Sequence, residues 1–105
     1  MGFTVPPIMQ LRPSEALNLH REAIRRIVAA HRASNPRVFG SVLKGEDDSD
    51  SDLDLLVDPV GASLFDLAAI TIELEDMMGI RVDVLTPKSL PARFRDRVLL
   101  EAQPV

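Results

Sequence analysis

The segment from residue 40 to residue 57 reads GSVLKGEDDSDSDLDLLV, and it decides the fold. It begins with the small pair Gly40-Ser41 and ends in an apolar run that carries Asp52 and Asp54 at alternate positions. Alternate residues of a β-strand project to one face, so both carboxylates are expected on the same side of a strand. Glycine lets phosphate oxygens approach the backbone closely, and paired carboxylates bind divalent cations. The segment therefore favours a site for Mg²⁺ and a nucleoside triphosphate.

A third carboxylate, Asp83, lies between Val82 and Val84 in a later apolar run. A charged side chain on a buried sheet is costly unless it is paired or bound to a metal, which favours a functional role. Three carboxylates on neighbouring strands could hold two Mg²⁺ ions about 3.5–4 Å apart, the arrangement used for in-line phosphoryl displacement. Asp83 could also accept the proton of an attacking hydroxyl.

The composition indicates one globular domain of 105 residues, with 46% hydrophobic and 27% charged residues. Residues 1–13 are expected to be an extended lead-in and residues 14–105 the domain. No run approaches the roughly 18 apolar residues of a membrane span, and no signal peptide is evident. The absence of cysteine excludes disulfides and thiolate metal sites and is compatible with a reducing cytoplasm.

The net charge of −4 is unevenly distributed along the chain. Six acidic residues and no basic one lie within residues 46–54, which suggests a cation site or a solvated loop. With only four aromatic residues and no basic stripe, direct binding of nucleic acid is not expected. An EF-hand calcium loop starting at Asp48 fails, because Leu53 occupies the glycine position and Pro59 the position of the bidentate acid.

Hydrophobic periodicity and turn signals predict alternating helices and strands. Ser14 is expected to cap a long first helix that runs to about residue 34, and Ser63 with Asp66 resembles a capping box. The predicted order is helix 14–34, strand 37–39, a helical turn, strand 53–57, helix 63–79, strand 80–85 and a last helix beyond Pro91. This order indicates an α/β (α+β) fold, a small mixed β-sheet flanked by helices.

Gly40-Ser41, ten intervening residues, Asp52-x-Asp54, Leu55-Leu56-Val57 and the later Asp83 resemble the DNA polymerase β-type nucleotidyltransferase superfamily. The resemblance covers about residues 36–86, and the short chain is similar to the minimal nucleotidyltransferase branch. It implies the polymerase β-type fold, with ATP as substrate and two Mg²⁺ ions as cofactors.

The resemblance also assigns roles to individual residues. Gly40 and Ser41 would bind the triphosphate, Asp52 and Asp54 would ligate both metals, and Asp83 would complete the metal site and assist the nucleophile. Many relatives have an arginine in the turn after Gly-Ser, whereas Lys44 supplies the positive charge here. Lysine can bind phosphate as a point charge, so Lys44 joins the nucleotide-binding set.

Minimal nucleotidyltransferases are typically paired with a helical HEPN-domain toxin, which they modify with AMP on a tyrosine. The resemblance therefore implies a protein adenylyltransferase antitoxin whose partner supplies the hydroxyl, and it is compatible with a hetero-oligomer. Two other functions stay open from the residues: a non-catalytic antitoxin that acts by occlusion, and a transferase acting on a small molecule or a nucleic-acid end. Residues 46–48 and 50 are expected to be solvated loop, and His20 and His31 to pack at the edge of a helix.

Overall fold

A computed structural model describes residues 11–105 of the chain. The chain forms five helices and four strands in that range. They are α1 (Pro13–Leu19), α2 (Arg21–Ala30), β1 (Ser34–Phe39), α3 (Gly40–Lys44), β2 (Leu53–Asp58), α4 (Leu64–Met78), β3 (Val82–Leu85), α5 (Ala92–Glu101) and β4 (Gln103–Pro104), with a 3₁₀ turn at Pro87–Ser89. The expected lead-in falls largely on residues 1–10, which lie outside the described part.

The four strands form one mixed sheet in the order β3-β2-β1-β4. The central strand β2 pairs with β1 in antiparallel orientation and with β3 in parallel orientation. The parallel pair is connected through α4, because neighbouring parallel strands need a crossover long enough to return the chain. The prediction of a small mixed sheet flanked by helices is confirmed.

The main core lies between the sheet and the helices α1, α2 and α4. Leu53, Leu55 and Val57 alternate along β2 and are completely buried in it. Side chains from the helices meet them there, namely Ala16, Leu17, Ile24, Val28, Ile70 and Leu74. Burial of each large aliphatic side chain contributes about 1.5–3 kcal/mol, so β2 is held firmly in place.

The predicted helix after residue 63 is confirmed together with both of its ends. Ser63 caps α4: its hydroxyl accepts a hydrogen bond from the Asp66 amide at 3.2 Å, and its amide donates to the Asp66 carboxylate at 2.8 Å. Gly79 ends the helix with φ +68°, a left-handed conformation that glycine adopts without steric cost. These two caps fix the length of the crossover between β2 and β3.

The long first helix predicted from residue 14 to about residue 34 is wrong. The chain forms two helices that break at His20, and α1 begins at Pro13 with Arg12, not Ser14, at its N-cap. β1 then begins at Ser34, where a helix was expected, with a bulge before Arg37. Strand β4, which pairs with β1, was not predicted. None of the helices within residues 11–105 is long and apolar enough to cross a membrane.

The acidic loop between α3 and β2 is more ordered than the sequence indicated. Asp47 was expected to be solvated, but it is 7% exposed, and its carboxylate accepts a hydrogen bond of 2.9 Å from the Ser14 amide. Asp48 accepts a hydrogen bond of 2.9 Å from the Asp50 amide, which forms a local turn. The loop that leads into Asp52 is therefore tied to the first turn of α1.

Candidate functional site

The site is organised by the register of β2 with its two neighbouring strands. Asp54 pairs with Asp83 across the parallel β2–β3 ladder and with Phe39 across the antiparallel β1–β2 ladder. Residues that pair directly across a sheet project to the same face. The two predicted carboxylates therefore lie side by side, and Gly40, the residue after Phe39, adjoins them.

Asp54 is half buried, and its surroundings disfavour its charged form. Burial is the largest cause, followed by the negative charges of Asp83 and Asp52, and together they raise the pKa of Asp54 to about 6. A carboxylate held among like charges is under electrostatic stress that a bound cation would relieve. Perturbation of this kind is typical of functional sites.

Asp83 differs from the expectation in one respect. Its side chain was expected to be costly to bury, but the residue is exposed at the edge strand β3. The argument from burial therefore does not apply to Asp83. What brings it into the site is its register opposite Asp54.

Gly40 lies in the tightest part of the site. It has φ +75°, and a Cβ atom at this position would overlap Oδ2 of Asp54 and lie 3.1 Å from its Cγ. Only glycine satisfies both the left-handed backbone and the close approach of the carboxylate. The sequence predicted that a phosphate would approach this glycine; the structure shows that the Asp54 carboxylate lies against it.

Ser41 and Lys44 belong to the short helix α3, which follows Gly40 directly. Ser41 lies in the first turn and Lys44 in the last, where its side chain is exposed. Gly45 ends this helix with φ +70°. The three residues predicted to bind nucleotide, Gly40, Ser41 and Lys44, are therefore brought together in one turn beside the carboxylates.

Asp52 precedes β2 and contacts a residue that the sequence analysis did not single out. The Nε of Arg81 lies 3.0 Å from Oδ1 of Asp52. The geometry is that of an ion pair without a directed hydrogen bond, since this solvent-shielded Oδ1 accepts no hydrogen bond within the described residues. An arginine in a loop before a strand carries no sequence signal for this contact, because the contact depends on the β2–β3 pairing.

The three carboxylates fit a hard divalent cation by their chemistry. All donors are carboxylate oxygens, Oδ1 of Asp52 lacks a hydrogen-bond donor, and Asp54 is destabilised by its charged neighbours. Within residues 11–105, however, no three His, Asp or Glu side chains are arranged around a common point that could hold a metal ion. The chemistry of the three carboxylates suits a divalent cation, but their side chains do not point to a common centre.

A largely apolar cavity of about 320 Å³ begins at Gly40 and extends between α3 and α5. Lys44 and Leu43 border it on one side, and Phe94 and Val98 on the other. Leu85, two residues after Asp83 on β3, also lines it, so the cavity continues from the face that carries the carboxylates. It is large enough for a planar ring with an attached sugar.

His31, which the sequence analysis singled out, and Arg95 both make contacts away from this site. The Nε2 of His31 lies 2.7 Å from the Glu73 carboxylate on α4, as expected for the edge of a helix. Arg95 uses its guanidinium to hold backbone carbonyls around the 3₁₀ turn, including that of Pro87 at 2.8 Å. Arg81 and Asp47 are the two residues that the sequence reasoning missed.

Known proteins are similar to this chain in sequence and in fold. Residues 19–105 match the family described as "Nucleotidyltransferase domain". The "Putative protein adenylyltransferase MJ0435" of Methanocaldococcus jannaschii is 38% identical over 87 residues, which are 82% of this chain and 94% of that protein. The "Protein adenylyltransferase MntA" of Thermococcus cleftensis is 40% identical over 65 residues, 61% of this chain and 66% of that protein.

Two solved structures have the same fold. One, described as "Structure of putative minimal nucleotidyltransferase", is 45% identical with a TM-score of 0.77, and the match covers 88% of this chain and 95% of that one. The other, described as "Crystal structure of the toxin-antitoxin with AMP-PNP", is 16% identical with a TM-score of 0.67 and covers 79% and 69%. At that identity the second match supports the fold alone.

Proposed function

Because this chain belongs to the nucleotidyltransferase domain family, we propose that it transfers AMP from ATP to a tyrosine hydroxyl of a HEPN-domain toxin. It is an enzyme of the nucleotidyltransferase type, similar to minimal nucleotidyltransferases. The observation that carries the proposal is the register of Asp54. It places this carboxylate beside Asp83 and directly against the Gly40 turn.

Asp52, Asp54 and Asp83 would hold Mg²⁺. Their oxygens match the preference of this hard cation, and its charge would offset both the burial and the repulsion by Asp83 and Asp52 that raise the pKa of Asp54. Bound Mg²⁺ supplies charge neutralisation for the triphosphate and for the departing pyrophosphate. Of the three carboxylates, Asp52 already has a positively charged neighbour, Arg81, whose Nε lies 3.0 Å from its Oδ1.

The triphosphate would lie over Gly40, Ser41 and Lys44. The missing Cβ of Gly40 lets the carboxylate of Asp54 lie against this turn, and Lys44 adds a positive charge at the end of the same short helix. The nucleoside would occupy the cavity between α3 and α5, which opens at Gly40 and has apolar walls suited to a ring.

In the transfer step, the phenolic oxygen of the tyrosine attacks the α-phosphorus of ATP. The new bond joins this oxygen to the α-phosphorus, the bond between the α-phosphorus and the bridging oxygen to the β-phosphate breaks, and pyrophosphate leaves with the bonding electrons. Asp83 would accept the phenolic proton. Its exposed position on the edge strand leaves it accessible to an acceptor presented by another protein.

The choice of a protein acceptor is supported by the names of the relatives. Two of them are called protein adenylyltransferases, and a structure of the same fold is a toxin-antitoxin complex with AMP-PNP. The site is also open on the side of Asp83, so a macromolecule could reach it. A non-catalytic antitoxin would have no need for a pair of adjacent carboxylates, Asp54 and Asp83, beside a glycine turn.

The test incubates the protein with α-labelled ATP, Mg²⁺ and the purified product of the gene adjacent to its own. If the protein encoded by the neighbouring gene is the HEPN-domain toxin, we expect label on one of its tyrosines, and loss of that label by at least about 100-fold in the double variant Asp52→Asn/Asp54→Asn. The control is Asp76→Asn, which removes an exposed carboxylate from α4. Unchanged neutralisation of the toxin by the double variant, with no labelling by the wild type, would contradict the proposal and favour occlusion.

A further inference from the structure

Arg81, which directly precedes β3, contacts Asp52, which directly precedes β2. Its carbonyl accepts a hydrogen bond of 2.9 Å from the Leu53 amide, so its backbone is fixed beside the start of β2. Its guanidinium Nε lies 3.0 Å from Oδ1 of Asp52. The backbone is thus held by the sheet, whereas the side chain is 78% exposed and free to move.

The contact uses an oxygen that a cation would also need. Oδ1 of Asp52 is shielded from solvent and accepts no hydrogen bond within the described residues, so Arg81 is its charge partner there. Within the described residues, Asp52, Asp54 and Asp83 do not surround a common point. The guanidinium of Arg81 therefore occupies the position beside Asp52 that a metal cation would take.

A second acidic environment lies beside the Arg81 side chain. It borders an open cleft of about 580 Å³ that is lined by Ser49, Asp50 and Glu75 as well. Asp50 and Glu75 are acidic, so a guanidinium that leaves Asp52 finds negative charge within reach. An exposed arginine loses little by such a move, because exposed ion pairs contribute only about 0–1 kcal/mol.

We propose that Arg81 is an internal counter-ion of Asp52 that a divalent cation must displace, so that it weakens binding of the cation alone. This inference rests on the proposed function only in taking Asp52 as a metal ligand. The triphosphate arrives with four negative charges and shifts the balance toward the cation. Arg81 would therefore couple loading of the metal to arrival of the nucleotide.

The test measures binding of Mn²⁺, a probe visible by electron paramagnetic resonance, to the full chain without acceptor. Arg81→Gln and Arg81→Met should each bind Mn²⁺ about three- to fivefold more tightly than the wild type in the absence of nucleotide. Arg81→Lys keeps the charge and should stay within about twofold of the wild type. With a non-hydrolysable ATP analogue present, the advantage of the neutral variants should shrink to below about twofold.

The matched control is Arg26→Gln, which removes one exposed positive charge from α2 and should leave the Mn²⁺ affinity within about twofold. Equal or weaker binding by both neutral variants, or the same gain in Arg26→Gln, would overturn the proposal. The Mn²⁺ titration does not depend on turnover. Tighter Mn²⁺ binding by the neutral variants, combined with no AMP transfer in the labelling assay, would contradict the proposed function and support the counter-ion role of Arg81. AMP transfer in the labelling assay, combined with unchanged Mn²⁺ affinities of the Arg81 variants, would support the proposed function and contradict the counter-ion role of Arg81.

Discussion

Asp54 and Asp83 lie directly opposite one another in the parallel pairing of β2 and β3. Like charges placed across from each other on neighbouring strands destabilise a sheet. Burial together with the charges of Asp83 and Asp52 raises the pKa of Asp54 to about 6, which is the sign of that unfavourable arrangement. The core beneath β2, where Leu53, Leu55 and Val57 are fully buried, holds the strand in this register despite the repulsion.

Asp54→Asn should stabilise the metal-free protein at neutral and higher pH. The folded pKa of Asp54 is about 6 against an ordinary value of 3.8, so the folded protein holds a proton that the unfolded chain has released. Stability therefore falls as the pH rises from about 4 through about 6 and is level above that range. Since Asp54 is only half buried, we expect a gain of about 1 kcal/mol at pH 8, or about 5 °C in Tm.

The measurement is thermal unfolding with a chelator present at pH 8 and at pH 4.5. At pH 4.5 the advantage of Asp54→Asn should largely disappear, because the wild-type carboxyl is then protonated in the folded state. Asp50→Asn is the control, as it removes an exposed carboxylate from the acidic loop between α3 and β2. A variant less stable than the wild type at pH 8 would contradict the electrostatic account of this strand pair.

Gly40→Ala should destabilise the protein and remove its activity, whereas Gly45→Ala should do only the former, and mildly. Both glycines have positive φ, at +75° and +70°, but only at Gly40 would a Cβ meet Asp54, and at Gly45 it would meet nothing within 4 Å. The backbone cost common to both is about 1–2 kcal/mol. The displaced carboxylate should lower AMP transfer by about 100-fold in Gly40→Ala.

Urea unfolding and the transfer assay separate these two effects. The difference in stability between the two variants reports the collision with Asp54, because the cost of the left-handed backbone is shared. Equal activity of Gly40→Ala and Gly45→Ala would show that the close approach of Asp54 to the turn has no catalytic importance.

Local signals in the sequence predicted those parts of the fold that depend on neighbouring residues. Ser63 and Asp66 form the predicted capping box, and Gly79 ends the helix as expected. The alternation around Asp54 placed it on a strand, and the register with Asp83 follows once β2 and β3 are adjacent. Side-chain periodicity and cap chemistry act within a few residues, so they can be recognised in one sequence.

The features that the sequence did not reveal depend on contacts between distant residues. No proline or glycine marks the break at His20, and β4 is a two-residue strand that exists only by pairing with β1. Asp47 is buried because Ser14, which is 33 residues away, donates to it. Arg81 reaches Asp52 only because β3 lies beside β2. Composition alone describes Asp47 and Arg81 as ordinary surface charges.

Asp47→Ala should lower the free energy of unfolding by about 1–2 kcal/mol at pH 7, since it removes the acceptor for the Ser14 amide. Burial acts to raise the pKa of Asp47, but the hydrogen bonds from Ser14 outweigh it and leave the pKa lowered from 3.8. The stabilising effect is therefore complete above about pH 4 and is lost as the pH falls through the folded pKa.

Urea unfolding at pH 7 and pH 3 checks this dependence, with Asp50→Ala as the exposed control from the same loop. We expect the control to lie within about 0.5 kcal/mol of the wild type at both values. A loss for Asp47→Ala that is equally large at pH 3 would mean that packing, and not the charged hydrogen bond to α1, makes Asp47 important.

Val98→Trp should weaken binding of ATP by at least about tenfold, because the indole would fill the cavity between α3 and α5 in which we place the nucleoside. Leu100→Trp is the matched control: it lies on the same helix, is 84% exposed and does not line the cavity. Isothermal titration with a non-hydrolysable ATP analogue and with free triphosphate distinguishes the cavity from the phosphate turn. Triphosphate should bind both variants equally, since Gly40, Ser41 and Lys44 are unchanged. If Val98→Trp binds the ATP analogue as the wild type does, the nucleoside must lie elsewhere on the face that carries Asp54.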